Sequence, residues 1–543
     1  MNVIQRFFFL ASLVSFVSVN ADERPFDSAQ GRPNIILVMV DDMGYSDIGC
    51  YGSEIPTPNI DRLAEGGIRF SQFYNTSRCC PTRAALLTGI NQHQTGVGHM
   101  MSEGRFNFDY EVDGYRGQLN RSCVTLAEVL RSADYHTWMT GKWHLGDDMD
   151  DRPLQRGWDR FYGSLSGAFS YFMPHGDRHL MEGNEALPPP DPDKYYTTDA
   201  FTDRAIEWIE GKEDERPFFL YLAHNAPHWP LHAKEEDIEQ FVGKYMKGWD
   251  QIRKERFARQ VDLGLFDKSL GVSPRDPTVR PWEDVPNDQK KRSDYRMAVY
   301  AAQIYSIDQN MGKLIEALED EGELDNTLIL FLSDNGACAE PYNEFGGGDF
   351  DRINDPTTGG MISVGSGWAN MQNTPFRQYK NRPYEGGMAT PFIAHWPAGV
   401  AKQLEGKFVG DLAHVLDVMP TIIDLSGAEY PAQVGEELIP EPEGLSLLPI
   451  LKGHGREAPE YLFFEHQMNC AVRSGEWKAI SKFGEYDWEL YNIKNDRNEL
   501  NDVADQYPKV VARLDRAWRN WALRAKVAPK GRWKDRGYLT PRE

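Results

Sequence analysis

The sequence predicts an α/β fold: a large, mostly parallel or mixed central sheet with helices on both faces, then a small antiparallel four-stranded sheet with a packed helix. Three observations lead there. Continuous apolar runs such as Asn34-Ile35-Ile36-Leu37-Val38-Met39-Val40 suit strands buried on both faces of a sheet. Further runs of this kind lie at Trp138-Met139, Pro217 to Leu222, Thr327 to Leu332 and Pro391 to Ala394, and Ile68 to Tyr74 reads as a strand as well. Between them lie helix-period stretches, the clearest with Met297, Tyr300, Ile304, Ile307, Met311, Leu314 and Leu318 at spacings of three and four. Strands alternating with helices imply right-handed crossovers within one α/β sandwich. After about Gly453 the pattern changes to short strands at Tyr461 to Phe464, Ala471-Val472, Trp477 to Ile480 and Trp488 to Tyr491. Turn residues separate them, which favours antiparallel pairing, and a helix from Pro508 to Leu523 follows. The polar tract Ala428 to Gly444 reads as a loop. The charged, weakly periodic stretch Lys244 to Lys290 reads as an excursion from the core. The expected division is residues 1–21, 22–453 and 454–543.

Composition bounds the function. With 41% hydrophobic and 26% charged residues in 543, the chain is globular, which excludes disorder, collagen and coiled coil. It carries 59 Lys and Arg against 82 Asp and Glu, a net charge of −23, so nucleic acid is not an expected partner. Residues 1–21 have the form of a secretory signal: Arg6, an apolar run from Phe7 to Val17, and small residues at Val19 and Ala21. That run is shorter than the ~20 residues of a spanning helix. Cleavage after about Ala21 would leave a mature protein without a membrane span, periplasmic or secreted. Six cysteines are too few for a disulfide-stapled scaffold, and adjacent Cys79 and Cys80 call for an explanation other than crosslinking.

In an open α/β sheet, ligands sit beyond the carboxyl ends of the strands. Asp41-Asp42 follows the first apolar run, and Asp334-Asn335-Gly336 follows another. Three carboxylates and an amide oxygen from two strand ends suit a hard cation. Thr140-Gly141-Lys142-Trp143-His144 offers Lys142 and His144 on one side of an extended segment. His224 to Pro230 and Lys380 before Tyr384-Glu385-Gly386-Gly387 come from further strand ends. Cys79-Cys80-Pro81-Thr82-Arg83 lies between a strand and a helix. Pro81 as first helical residue would set Cys79 just before a helix N-terminus, where an anion or a thiolate is favoured.

Cys79-x-Pro81-Thr82-Arg83 with Leu87-Thr88-Gly89 is similar to the sulfatase signature. The remaining pieces follow in that family's order: Asp41-Asp42, Gly141-Lys142-Trp143-His144, Ala226-Pro227-His228-Trp229-Pro230, Asp334-Asn335-Gly336, and Lys380 before Glu385-Gly386-Gly387. The chain resembles bacterial calcium-dependent arylsulfatases of the alkaline-phosphatase-like superfamily, most clearly from Asn34 to Pro397. The resemblance implies conversion of Cys79 to formylglycine, by dedicated machinery before export, with the aldehyde hydrate as nucleophile. It implies one calcium ion on Asp41, Asp42, Asp334 and Asn335. It assigns Arg83 and Lys142 to sulfate charge, His228 and Lys380 to protonation of the leaving oxygen, and His144 to proton removal from the hydrate. The implied substrate is a sulfate monoester, aryl or carbohydrate. Two alternatives remain at this level. Phosphonate and phosphodiester hydrolases of the superfamily can share the modified cysteine, although they tend to carry His where this chain has Asn335. An inactive, glycan-binding relative would usually lack the cysteine or a metal ligand.

Overall fold

Strand β1 (Asn34–Val40) is buried along its whole length in the computed structural model, which describes residues 31–103, 107–358 and 360–528. The expected export signal, residues 1–21, lies outside the described residues. The same sheet continues with β2 (Ile68–Tyr74), β3 (His136–Lys142), β4 (Arg160–Ser164), β5 (Met181–Glu182), β6 (Glu185–Ala186) and β7 (Phe218–Ala223). It is completed by β8 (Thr327–Ser333), β9 (Ala389–His395), β10 (Lys407–Val409) and β11 (Ala413–His414). The strand order is β10-β2-β9-β8-β1-β7-β3-β4-β5-β6, with β11 beside β2.

Period-two alternation divides the apolar runs between two cores. Ile36, Val38, Val40, Leu220, Leu222, Ile329 and Phe331 enter one. Ile35, Leu37, Met39, Phe219, Tyr221, Leu328 and Leu330 enter the other. The first core is covered by the helix Asn287–Asp320, whose 34 residues span ~50 Å at 1.5 Å per residue. The second is covered by Cys79–Thr88, Leu126–Ser132 and Val418–Ser426. The result is the expected three-layer sandwich.

Strands β8, β1, β7, β3 and β4 run parallel, whereas β9 is antiparallel to both β8 and β2. This mixture sets the functional edge. The carboxyl ends of β1, β2, β3, β7 and β8 share it, and so does the amino end of β9. The segment before β9, which holds Lys380, therefore reaches the same edge as the segments that follow the other strands.

A hairpin of β12 (Gln433–Val434) and β13 (Glu437–Leu438) interrupts the polar tract. The C-terminal sheet is β14 (Leu462–His466), β15 (Asn469–Ser474), β16 (Trp477–Ser481) and β17 (Glu489–Asn492), antiparallel and in that order. One face packs on the helix Pro508–Arg524 through Cys470, Val472, Leu490, Leu514 and Trp518. The other joins the main core through Leu462, Phe464, Ala471 and Ile480.

Two expectations need correction. The stretch Lys244 to Lys290 is not an excursion: its helix Trp249–Asp262 buries Trp249, Ile252, Arg256 and Gln260. Arg256 pairs with Asp47 at 2.5 Å and Glu54 at 2.8 Å, so part of the buried face is charged and invisible to hydropathy periodicity. The helix expected at Pro81 begins at Cys79, with Arg78 as its N-cap.

Buried charge also anchors the C-terminal sheet. Fully buried Lys478 lies 2.9 Å from Glu385 and 2.6 Å from Glu499. Burial pushes Glu499 up to about 7. Burial acts on Glu385 too, but Lys478 and Arg497 outweigh it and hold that carboxyl down to about 2. Lys478→Met would leave two buried carboxylates without their shared cation. We expect it to cost about 3–5 kcal/mol in urea denaturation; a loss below about 1 kcal/mol would show that Arg497 suffices alone.

Candidate active site

The backbone delivers ten side chains to the edge. Asp41 and Asp42 leave β1, and Asp334 and Asn335 leave β8, its parallel neighbour. The Asp42 N–H donates to Asp334 Oδ1 at 3.2 Å, and Asn335 Nδ2 donates to Asp42 Oδ1 at 2.6 Å. Gly336 is required by close approach, because a Cβ there would sit 1.9 Å from the Gly386 carbonyl oxygen. Lys142 ends β3 and His144 follows it. Gly141 and His144 have φ of +104° and +59°, so the segment is not simply extended. The turn, rather than strand alternation, brings both side chains inward. A side chain at Gly141 would strike the Ala223 carbonyl at 1.9 Å.

Cations close the gaps between carboxylates. Lys142 Nζ lies 2.5 Å from Asp41 Oδ2, and Arg83 Nη2 lies 2.9 Å from Asp334 Oδ2. Lys380 Nζ lies 2.6 Å from Asp42 Oδ1, and His228 Nε2 lies 3.4 Å from Asp42 Oδ2. The His228 Nδ1–H donates to the Trp229 carbonyl at 2.6 Å, which turns Nε2 toward the pocket. All ten expected residues therefore converge.

Three buried oxygens stand out. Asp41 Oδ1, Asp42 Oδ2 and Asn335 Oδ1 have no hydrogen-bond partner among the described residues. Burial, then the charge on Asp41, push Asp334 up to about 8. Burial also raises Asp41, against the pull of Lys142. In Asp42 burial is outweighed by Lys380 and His228, and its carboxyl is lowered. Buried polar atoms are rarely left unmatched. Hard oxygens converging without partners fit a cation such as calcium.

Cys79 is the first residue of a ten-residue helix and is buried. The Cys80 hydrogen bond holds the unmodified thiol well below its usual range; burial opposes this, and Lys142, Lys380 and His144 assist. Cys80 is closer to the machinery than its place in the motif suggests. Its sulfur lies 3.3 and 3.4 Å from the two His144 ring nitrogens, and it accepts the Met101 N–H at 3.3 Å. Burial, then Lys142, lower the His144 pKa.

Other nearby residues escaped the motif reading. The Tyr221 hydroxyl accepts from Arg83 Nη1 at 3.2 Å. Arg78 pairs with Glu340 at 2.6 Å. From the C-terminal sheet, the ring of buried His466 stacks on His99 at 5.5 Å, and both His466 nitrogens lack hydrogen-bond partners among the described residues. Gln467 bridges His99 at 2.9 Å and Asn381 at 2.9 Å. A buried histidine at a strand end was the available signal, but its sequence distance from Cys79 concealed it.

A mixed sheet of this topology, with buried carboxylates, cations and a helix-start cysteine at one edge, has the alkaline-phosphatase-like fold of its structural neighbours. The sulfatase family model matches residues 33–428, and the chain belongs to that family; it is a sulfuric ester hydrolase. A second model, N-sulphoglucosamine sulphohydrolase, C-terminal, matches residues 377–522. The chain is 34% identical to an arylsulfatase of Klebsiella aerogenes over 437 residues, covering 77% of this chain and 92% of that protein. It is 32% identical over 520 residues to an uncharacterized sulfatase of Schizosaccharomyces pombe, covering 90% and 93%. Among solved structures, Ps i-CgsB in complex with k-i-k-neocarrahexaose superposes with a TM-score of 0.67 at 28% identity, covering 90% and 93%.

The unmatched oxygens lead to a thermal test. Exhaustive chelation should lower the melting temperature by several degrees, and calcium should restore it better than zinc. A melting temperature indifferent to chelation and to added calcium would contradict a cation site.

Proposed function

We propose that the protein is an exported, calcium-dependent sulfatase that removes sulfate from a sulfated carbohydrate, with Cys79 matured to formylglycine before export. The carrying observation is the pairing of two opposed charge sets around one helix-start residue: Arg83, Lys142 and Lys380 against Asp41, Asp42 and Asp334. Bound calcium would be held by Asp41, Asp42, Asp334 and Asn335, and would supply Lewis-acid stabilisation of negative charge on oxygen. Formylglycine at position 79 would supply a hydrated aldehyde, whose two hydroxyls allow attack on sulfur and later release of sulfate.

The chain's own residues account for the remainder. Arg83 and Lys142 neutralise sulfate charge, and interactions of this type contribute about 3–4 kcal/mol in comparable oxyanion sites. Lys380 Nζ presents a proton to the departing ester oxygen, and His228 Nε2 does so once the ring is doubly protonated, against burial, which lowers its pKa to about 4. His144 takes a proton from residue 79 in the second half-reaction, with the Cys80 sulfur holding its ring. Asn335 supplies a hard oxygen, which favours calcium and a sulfate ester over the transition-metal chemistry of the phosphoryl hydrolases.

Polar walls support a carbohydrate rather than a bare aryl group. Both ring nitrogens of buried His466 lack a hydrogen-bond partner among the described residues, and an aryl ring would offer them none. The k-i-k-neocarrahexaose bound by the structural neighbour points the same way.

Leaving-group chemistry tests the assignment. A sugar alkoxide needs protonation to depart, whereas 4-nitrophenolate does not, and general acid assistance is worth roughly 10²–10⁴-fold. His228→Ala should therefore lose at least about tenfold more kcat/KM on a sugar sulfate than on 4-nitrophenyl sulfate. His144→Ala should slow both alike and accumulate enzyme about 80 Da heavier, the mass of the transferred SO₃. Equal losses in His228→Ala would remove its role as acid.

A further inference from the structure

The acidic chain holds one region of opposite sign. Residues 508–543 contain eleven Lys and Arg against three Asp and Glu, while the preceding 507 residues contain 48 against 79. The helix Pro508–Arg524 opens this region. Arg513, Arg516 and Arg524 are spaced to share a helix face and line a surface groove of about 440 Å³. The other wall comes from β14, an edge strand. Tyr461 stacks on Phe463 at 5.5 Å and 17°, and Phe463 on Trp521 at 5.1 Å and 8°, so three rings lie nearly parallel beside the guanidinium groups. Tyr461 and Phe463 are half-buried. Arg524 is held by Glu443 through two bonds of 2.9 Å. Arg513 donates to the Ser474 hydroxyl, and Arg516, which is exposed, makes no ion pair among the described residues.

We propose that this groove is a second binding site for a sulfated polysaccharide, the polymer that carries the ester cleaved at Cys79. The inference rests on the carbohydrate reading given above. Guanidinium forks hold tetrahedral oxyanions through paired hydrogen bonds. Aromatic faces offer apolar surface to the C–H faces of a sugar. The groove contains both, and no acid lines it. It also involves β14 (Leu462–His466), whose carboxyl end carries His466, three residues or ~10 Å of strand from Phe463 and on the opposite face of that sheet. A duplex nucleic acid would meet the acidic remainder of the surface along most of its length.

The test compares wild type with Arg513→Gln/Arg516→Gln, and with Phe463→Ala, which leaves charge unchanged. Binding is measured in low salt to immobilised carrageenan, chondroitin sulfate, dextran sulfate and unsulfated dextran. Turnover of 4-nitrophenyl sulfate is measured in parallel, with thermal melts to verify folding. Wild type should bind a sulfated glycan and not dextran. The double variant should bind about tenfold more weakly, Phe463→Ala should also weaken, and both should turn over 4-nitrophenyl sulfate within about twofold of wild type. The proposal is overturned if wild type binds none of the sulfated polymers or prefers RNA or anionic vesicles. It is equally overturned if the double variant binds as wild type does. Absent turnover in wild type would instead count against the catalytic reading and leave the binding result standing.

Discussion

Six charges buried around one sulfur set the conditions for the rest of this structure. Asp41, Asp42 and Asp334 face Arg83, Lys142 and Lys380, and none is more than 1% exposed. Removing such ions from water costs several kcal/mol each unless partners are held in good geometry. Each cation is paired with a carboxylate, but Asp41 Oδ1 and Asp42 Oδ2 have no hydrogen-bond partner among the described residues. On the proposed reading, a bound cation and an anionic ester would complete the site.

That geometry explains the sheet. Neighbouring parallel strands β1 and β8 place the acids side by side. The reversed strand β9 lets Lys380 enter from a segment that precedes its strand rather than follows it. Helix Cys79–Thr88 starts immediately after β2 and its short connection, so its N-terminal N–H groups and residue 79 face the same edge. The C-terminal sheet also takes part. Lys478 ties it to the loop of Glu385, and its first turn brings His466 and Gln467 over the segment from Ser77 to Cys79. Asn381, one residue beyond Lys380, joins these parts by donating to Gln467 and to the Ser77 carbonyl.

Much of this was legible from residue order. Runs such as Thr327 to Leu332 predicted strands because both faces are buried, and the position of Asp334-Asn335 after such a run predicted their place at the sheet edge. Less legible were features that depend on pairing across the fold. The helix Trp249–Asp262 hides its packing behind Arg256, whose charge is cancelled by Asp47 and Glu54 far away in sequence. Strand alternation gave the right side for Lys142 and His144 for the wrong reason, since a positive φ at His144 does the turning. His466 and Tyr221 belong to no local motif. Their relation to Cys79 and Arg83 exists only once the sheets are assembled.

Everything in this account turns on what stands at position 79. The most direct measurement is the mass of the peptide containing Cys79 and Cys80, from protein made in a host that has the formylglycine-generating machinery. Conversion should leave it about 18 Da lighter than the encoded peptide, with one alkylatable thiol, at Cys80, and an aldehyde that reacts with a hydrazide. An unconverted peptide with two alkylatable thiols, from enzyme that still releases sulfate, would contradict the account.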